Sequence, residues 1–561
     1  MKKITILGIT LAAALFAVSC SEDLLEIPKK GVISYEAFYD GSEESAESAA
    51  LAAYHASMYC VNMGTGFNPG PWCIAPAWFV LSNAPSDDTY FGSGNPGDHV
   101  FGLEINEYRA SFSGTNDCIN SNYGACYQAI YACNLVCDNF DPSTSAAVAR
   151  NVAEARVLRA WLHLHLAIYW GTPPLIDHIL DPADRPGNSD HKELMSWIIN
   201  ELKEAAEFLP SRKGKTDKDG AVRLTKEAAL AFMGKAQVFA GDYAGAKTTL
   251  KKVIDSGNYD LVPGDQMMYM FHRAGDGSPE KVFEFNYVNN VNAGQGFRHF
   301  QRNASCWWRD LKKLPNLTIS VIGWGGGGNP SRSFVEAIME NEPDSYRRKA
   351  WLISYEELIG DFEYGVDDNR TREERLMDPD LGLSTDKYYG NCGWFLFKYA
   401  PYRSDLITNS STDCDNNTVI MRYAEVLLLY AEACAQTGDN DGLKYLNMIQ
   451  KRAGAPQSSA LTLDAVKKEK RFEMYMEGCR WADLVRWGDA ATVLKDQGKE
   501  VPSFRDEFVE GVKPHKAVLD LSEAYYNDVY GFKPNKNELM PFPFNEIMKN
   551  ESLVQNPGWE K

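Results

Sequence analysis

The sequence predicts a mostly α-helical protein, in which helical hairpins form a scaffold that carries a long, loop-rich insertion. Apolar residues recur every three to four positions between Asn151 and Trp170, which is the period of one helix face. Two further stretches, Leu224–Gly257 and Met421–Gly454, share one plan of helix, short Gly-Asp turn and return helix. Long segments rich in Gly, Asn and Pro separate these units, as loops do.

The chain opens with a leader typical of exported proteins. Lys2 and Lys3 precede the apolar run Ile4–Val18, which is too short to span a bilayer comfortably and ends at the small residue Ser19. We therefore predict a signal peptide over residues 1–19. A small residue followed by Cys20 resembles a lipobox, in which the cysteine is acylated and becomes the new N-terminus, although alanine stands where a leucine is usual. The alternative is an ordinary signal peptide that is cleaved near Cys20 without lipid.

Composition narrows the classes of partner. The 561 residues carry a formal net charge of −19 and are 44% hydrophobic. An acidic surface repels phosphate groups, so nucleic acid is not an expected partner, and the apolar content is sufficient for a large core. After the leader no stretch reaches the ~18 apolar residues of a transmembrane helix. We therefore expect any membrane attachment to run through the lipid on Cys20.

The predicted helices have recognisable ends. The helix over residues 151–170 stops at Gly171, ahead of a Pro-Pro pair. Thr225 is a suitable N-cap for the first hairpin, which turns at Gly241–Asp242, and the second hairpin turns at Gly438–Asp439. Small packing residues and short turns of this kind resemble tetratricopeptide-type hairpins. Their spacing is irregular, which favours a scaffold with insertions over a regular array.

The cysteines invite three interpretations. Cys126, Cys133 and Cys137 lie on one helical stripe. Cys133 and Cys137 should not form a disulfide with each other, because the Cβ atoms of helical residues i and i+4 are ~5–6 Å apart. A disulfide needs a Cβ separation of ~3.5–4.5 Å. With Cys20 acylated, an odd number of cysteines remains, so they cannot all pair within one chain. We favour small buried thiols, with a disulfide elsewhere or a metal site as alternatives.

Enzyme motifs are incomplete throughout the chain. Gly92–Gly97 fits a dinucleotide-binding pattern but follows no strand, and Gly214–Thr216 lacks the first glycine of a phosphate-binding loop. Asp413–Asn417 starts like a calcium loop but lacks its turn glycine. Asp87 and Asp88 are adjacent carboxylates without an identifiable acid–base partner. We therefore predict a protein that is not an enzyme, with no catalytic residues, no cofactor and no metal.

Six stretches carry a more specific signal, and they cover residues 20–31, 153–176, 223–246, 421–433, 469–488 and 539–559. They include the lipidated cysteine with its acidic tail, four helices and a closing segment that reads Pro-x-Pro, Glu-Ile and Gln-Asn-Pro-Gly. Together, and in this order, they resemble the SusD/RagB family of Bacteroidetes outer-membrane nutrient-binding lipoproteins. Asn289–Cys414 shows no such match.

The resemblance implies a SusD-like fold over residues 20–561, display on the extracellular face of the outer membrane, and transfer of captured nutrient to a SusC-like TonB-dependent transporter. Within that fold we expect a helical scaffold over about residues 35–288 and 415–500. A variable ligand lobe over about 289–414 and a closing segment over 501–561 complete the expected organisation.

The expected ligand is a glycan. Sugars present apolar CH faces ringed by hydroxyl groups, so their sites combine flat aromatic side chains with polar groups, most often on loops held by a rigid scaffold. Two long loops supply the candidate ligand-binding residues, which are Asp87, Asp88, Tyr90, Phe91, Arg302, Asn303, Trp307, Trp308 and Trp324. Trp78 and Trp161 lie in apolar periodic runs and are interpreted as parts of the scaffold.

Other functions stay open at this point. A peptide or another nutrient could replace glycan in the same import role. Two alternatives of other classes are a secreted glycoside hydrolase, which would need two separated carboxylates in a cleft, and a scaffold that binds only protein partners.

Overall fold

A computed structural model of the chain describes residues 35–62, 76–92, 94–97, 99–287, 312, 328–361, 368–400, 402–405 and 416–560. Helices dominate, as the sequence predicts. The helices before the insertion are α1 Tyr35–Phe38, α2 Glu43–Asn62, α3 Ala77–Asn83, α4 Val100–Asn106, α5 Asp117–Asn139, α6 Ala146–Trp170, α7 His191–Ala205, α8 Asp219–Val222, α9 Lys226–Phe239 and α10 Tyr243–Asp255. The remaining helices are α11 Arg332–Asn341, α12 Tyr346–Trp351, α13 Tyr355–Gly360, α14 Arg372–Leu376, α15 Tyr423–Thr437, α16 Gly442–Ala453, α17 Leu463–Glu473, α18 Arg480–Trp487, α19 Ala490–Val493 and α20 Phe544–Lys549.

The strands are short and pair antiparallel. They are β1 Thr89–Tyr90, β2 Lys281–Phe285, β3 Asn329–Pro330, β4 Leu352–Ser354, β5 Tyr388–Tyr389, β6 Trp394–Leu396, β7 Thr418–Arg422, β8 Glu500–Asp506 and β9 Ala517–Glu523. β1 pairs with β3, β2 with β7 and β4 with β6, and β8 lies between β5 and β9. Short 3₁₀ turns span Gly264–Tyr269, Arg273–Gly275 and Arg403–Asp405.

The predicted helix ends are confirmed. Thr225 caps α9, because its hydroxyl accepts the Ala228 backbone N–H at 3.2 Å. Gly171 follows α6 with φ +73°, and the hairpin turns place Gly241 at φ +76° and Gly438 at φ +69°, a region that glycine enters without strain. α6 begins five positions earlier than the sequence pattern indicates, because the Ser145 side chain caps it at Ala146.

One large apolar core joins the helices on both sides of the insertion. α6 is buried on almost every face, and α2, α5, α7 and α9 pack around it. His163 and His165 on this helix are both buried. The closing segment is tied to the end of α6, where the Trp170 indole N–H donates to the Pro541 carbonyl at 2.9 Å.

Described residues within the predicted ligand lobe contribute to two cores. Phe334 and Trp351 belong to the main core, whereas a smaller core gathers Tyr355, Phe395 and Phe504 with their neighbours. The bounds predicted for the ligand lobe stay a prediction, because much of 289–327 lies outside the described residues.

The described cysteines include several buried thiols, namely Cys60, Cys126, Cys133, Cys434 and Cys479. Within the described ranges no disulfide is formed, and Cys133 and Cys137 do not bridge each other. No helix in the described part of the chain is long and apolar enough to cross a membrane.

Candidate functional site

A cleft lies where helices from the two halves of the scaffold meet, and we name it the central cleft. It encloses about 110 Å³, several times the space that one water molecule needs. Its walls come from α2, α3, α6, α9, β7, α15, α17, α18 and the turn before α18. The side chains that give it its chemistry are Trp78, Trp161, His165, Lys235, Glu425 and Asp483.

One wall of the central cleft is aromatic. The half-buried indole of Trp78 stacks on the His165 ring with centroids 3.5 Å apart and 16° between the planes, and it packs against Trp161 at 5.1 Å. Burial lowers the pKa of His165 well below its usual value, so the ring is neutral at pH 7. The His165 Nε2 atom lies 2.8 Å from the Asn122 side-chain oxygen. Trp78 is therefore a rigid, flat surface at the cleft, held from behind by neutral rings.

The floor of the central cleft is charged but paired. Lys235 Nζ lies 2.8 Å from the Glu425 carboxylate. Burial lowers the pKa of Lys235, but the Glu425 charge outweighs it, and the net pKa is raised. Asp483 lies 3.0 Å or less from both Lys470 and Arg486. Burial opposes ionisation of Asp483, but these two cations hold its pKa below its usual value. These groups can offer hydrogen bonds to a hydroxyl-rich ligand.

A buried ion network supports this floor. Arg422 has no solvent exposure and donates to Glu280 at 2.7 Å, to Glu473 at 2.6 Å and to Glu477 at 2.6 Å. Lys398 forms a second contact with Glu477 at 2.5 Å. Burial resists ionisation of Glu477, but Arg422 and Lys398 hold its pKa below its usual range. Because Arg422 and Glu477 also line the cleft, the network fixes the floor in one geometry.

Three chain positions that border undescribed segments meet beside the central cleft. Asn62, Tyr287 and Asn417 lie next to the segments 63–75, 288–311 and 406–415, which the structure does not describe. The Asn62 side-chain amide contacts the Tyr287 hydroxyl, and the Tyr287 backbone N–H donates to the Asn417 side chain at 3.3 Å. Val61 and Val419 from the same places line the cleft. The scaffold thus brings these three positions together beside the cleft.

A second, lateral cleft of about 160 Å³ lies on the other side of the α3–β1 turn. It is lined by Asp87, Thr89, Tyr90, Ser331, Arg332, Ser333, Glu336, Asp496, Gln497, Gly498, Glu500 and Pro502. Arg332 crosses it and bonds Glu500 at 3.1 and 3.2 Å. Two of the candidate residues from the sequence, Asp87 and Tyr90, therefore line a cleft.

Asp87 and Asp88 form an ion cluster with two arginines. Asp87 accepts from Arg480 at 2.8 and 3.0 Å and from Arg471 at 3.0 Å, and Asp88 accepts from Arg471 at 2.6 Å. Burial raises the pKa of Asp87, but the arginine charges outweigh it and lower the pKa; for Asp88, burial dominates and the pKa is raised. The cluster joins the turn after α3 to α17 and α18.

The two aromatic candidates of the same stretch are buried. The Tyr90 hydroxyl donates to Glu107 at 2.9 Å, and Phe91 has no solvent exposure and packs against Phe79. In this conformation Phe91 presents no face to a ligand.

The remaining candidates, Arg302, Asn303, Trp307, Trp308 and Trp324, lie outside the described residues. The prediction that these residues and the Asp87–Phe91 group bind ligand stays a prediction. Sequence reasoning assigned Trp78 to the scaffold, yet the structure places it at the central cleft. The available signal was its position on a short helix that starts directly after a Gly-, Asn- and Pro-rich segment.

Comparison with known proteins agrees with this fold. A profile described as "SusD family" matches residues 329–559, and one described as "Starch-binding associating with outer membrane" matches residues 99–237. The chain belongs to the SusD/RagB family. Relatives include a "SusD-like protein" of Bacteroides ovatus, 24% identical over 86% of this chain and 82% of the relative. The "Starch-binding protein SusD" of Bacteroides thetaiotaomicron is 25% identical over 76% of each chain.

Solved structures share this architecture over nearly their whole length. "Surface glycan-binding protein A" from Bacteroides fluxus superposes with a TM-score of 0.70 and 24% identity, and covers 92% of this chain and 100% of that one. "Surface glycan-binding protein A" from Bacteroides thetaiotaomicron, in complex with laminarihexaose, superposes with a TM-score of 0.68 and 22% identity. The match covers 91% of this chain and 99% of that one. At these identities the superpositions establish the SusD fold. The ligand of this chain has to be inferred from its own residues.

Proposed function

We propose that this protein binds an oligosaccharide at the outer surface of the outer membrane and passes it to a SusC-like TonB-dependent transporter. The observation that carries the ligand class is the indole of Trp78, which stacks on His165 in the wall of a cleft that also has charged, hydrogen-bonding side chains. A pyranose ring stacks its CH face on an indole and directs its hydroxyl groups to such side chains. One structural neighbour is a complex with laminarihexaose and one relative is named a starch-binding protein, and both support the same ligand class.

The proposed site continues onto segments that the structure does not describe. Trp307, Trp308 and Trp324 are proposed to add stacking surfaces, because Tyr287, which precedes their part of the chain, contacts Asn62 and Asn417 beside the central cleft. Each stacking contact contributes modestly, so affinity for short oligomers is weak and rises with chain length. A protein that only captures and releases its ligand needs neither catalytic residues nor a cofactor.

The binding proposal is tested by calorimetry on the purified mature chain. Titration with laminarihexaose, malto-oligosaccharides and a set of unrelated peptides is expected to give heat with one glucan class and none with the peptides. Trp307→Ala, Trp308→Ala and Trp324→Ala are expected to weaken that binding. Binding of a peptide but of no glycan would contradict the proposed ligand class. Hydrolysis of the glycan during the titration would contradict the proposal that the protein only binds it.

Membrane attachment and transfer form the second part of the proposal. We propose that acylated Cys20 holds the protein at the cell surface over the mouth of the transporter, with an interface larger than the ~2,000 Å² common for permanent complexes. Mild detergent extraction of the outer membrane, followed by affinity purification of this chain, is expected to recover a TonB-dependent barrel in equal amount. Recovery of this chain alone would contradict the partner.

A further inference from the structure

Two buried thiols on neighbouring helices lie in direct contact. The Sγ atoms of Cys60 on α2 and Cys126 on α5 are 3.6 Å apart, and both side chains are about 1% exposed or less. Two sulfur atoms at this separation touch without being bonded, since a disulfide bond is ~2.05 Å long. We propose that this pair is a disulfide site, which joins α2 to α5 when the protein folds in an oxidising compartment.

The helix packing makes the site geometrically suitable. The face of α2 toward α5 carries small residues, with Ser57 and Ala53 buried one and two turns before Cys60. The facing positions of α5 are also small, with Ala129 and Cys133 one and two turns after Cys126. Small side chains let two helices approach closely. Close approach brings opposite Cβ atoms toward the ~3.5–4.5 Å that a disulfide requires.

The chemistry needs an oxidant, and a disulfide of a cell-envelope thiol–disulfide oxidoreductase is the class that fits. One cysteine loses its proton and attacks the oxidant's disulfide, which forms a mixed disulfide and releases one oxidant sulfur as a thiol. The second cysteine then attacks the mixed disulfide, so that the Cys60–Cys126 bond forms and the second oxidant sulfur leaves as a thiol. Two protein thiols are oxidised and one oxidant disulfide is reduced to a dithiol.

Burial decides when the bond forms and how it behaves afterwards. Burial raises the pKa of the Cys126 thiol well above its usual value, and the thiolate is the reactive form. Oxidation therefore takes place during folding, before α2 and α5 close over the pair. Once formed, the bond is shielded from reductants until the protein unfolds. Because Val61 next to Cys60 lines the central cleft, the cross-link also fixes one edge of that cleft.

Thiol mapping tests this inference, which rests on the exported location in the proposed function and not on the ligand. The full chain is exported in a host with an oxidising envelope, purified without reductant, unfolded in denaturant and alkylated. Cys60 and Cys126 are expected to stay unlabelled while Cys133 and Cys434 are labelled. Before alkylation, the intact mass should be lower than that of the reduced chain by two hydrogen atoms. The oxidised protein should melt a few degrees above the reduced one.

Matched variants and a second preparation keep the result decisive. Cys126→Ala is expected to make Cys60 available to the alkylating reagent, whereas Cys133→Ala leaves the protected pair unchanged. Mature chain refolded in a glutathione redox buffer should show the same pair, which removes any dependence on export in the host. Full alkylation of Cys60 and Cys126 in both preparations, or a bond to a different cysteine, would overturn the proposal.

Discussion

Arg422 is the residue at which the cost of breaking the buried network can be worked out. Its guanidinium has no solvent exposure, and it donates to Glu280, Glu473 and Glu477 and to the Glu473 backbone carbonyl at 2.7 Å. Arg422→Met fills a similar volume but leaves these acceptors with one cation fewer. Each carboxylate keeps another cationic partner, for example Arg452 beside Glu473, so the substitution removes only part of the charge compensation.

The expected destabilisation is about 3–5 kcal/mol, the range found when one member of a buried ion pair is removed. Arg332→Met is the matched control, because Arg332 also bonds two carboxylates but its side chain is 40% exposed. Exposed pairs contribute about 1 kcal/mol or less. Arg422→Lys keeps the charge but loses the planar fork of donors, and should fall between the two.

Denaturant unfolding followed by tryptophan fluorescence measures these differences as shifts of the transition midpoint. We expect the loss of stability to be largest for Arg422→Met, intermediate for Arg422→Lys and smallest for Arg332→Met. An Arg422→Met midpoint equal to that of Arg332→Met would refute the claim that the buried network holds the cleft floor.

Three further predictions follow from other parts of the chain. The first concerns pH. Burial opposes ionisation of Glu473, but neighbouring arginines hold its pKa well below its usual range. Its contribution to the stability of the fold is therefore complete above the unfolded-state pKa of ~4.3 and is lost progressively as the pH falls below that value. Thermal melts should therefore change little from pH 7 to about pH 5 and drop steeply below about pH 4.3. The second is that Gly478→Ala lowers the melting temperature more than Gly438→Ala does. Both glycines have a positive φ, which costs about 1–3 kcal/mol for alanine. Only at Gly478 would the new Cβ also meet a neighbour, the Ser82 Cβ at 2.9 Å. Equal melting temperatures would contradict this. The third is that Cys20→Ala moves the protein from the membrane to the soluble fraction on cell fractionation; unchanged membrane binding would exclude a lipid anchor at this residue.

The scaffold was predictable because its signals are local. Helix period, the Thr225 cap and the glycine turns at Gly241 and Gly438 lie within a few residues of the structure they specify, and each is found where the sequence places it. The sequence pattern of α6 shows only an apolar stripe. The structure buries its polar faces as well, because partners such as Glu201 pair with Arg159 from another helix.

The sites were less predictable because they depend on contacts between distant residues. Asp88 meets Arg471 across 383 positions, so nothing near Asp88 in the sequence shows that it is paired. Phe91 lies in a Gly-rich stretch that reads as a loop, but it is buried against Phe79. For Trp78 the apolar run around it indicates the core, while its exposure depends on where α3 lies relative to α6.

The most direct test of the central claim compares two aromatic variants by calorimetry with the glucan that binds the wild-type protein. Trp78→Ala removes the stacking surface of the central cleft, and Tyr131→Ala removes an exposed aromatic ring from α5 that lines neither cleft. Circular dichroism first checks that both variants are folded. The account predicts that Trp78→Ala binds the glucan at least about tenfold more weakly, as expected for a central aromatic contact, and that Tyr131→Ala binds as the wild type does. Equal affinity of Trp78→Ala and the wild type would contradict a carbohydrate site in the central cleft.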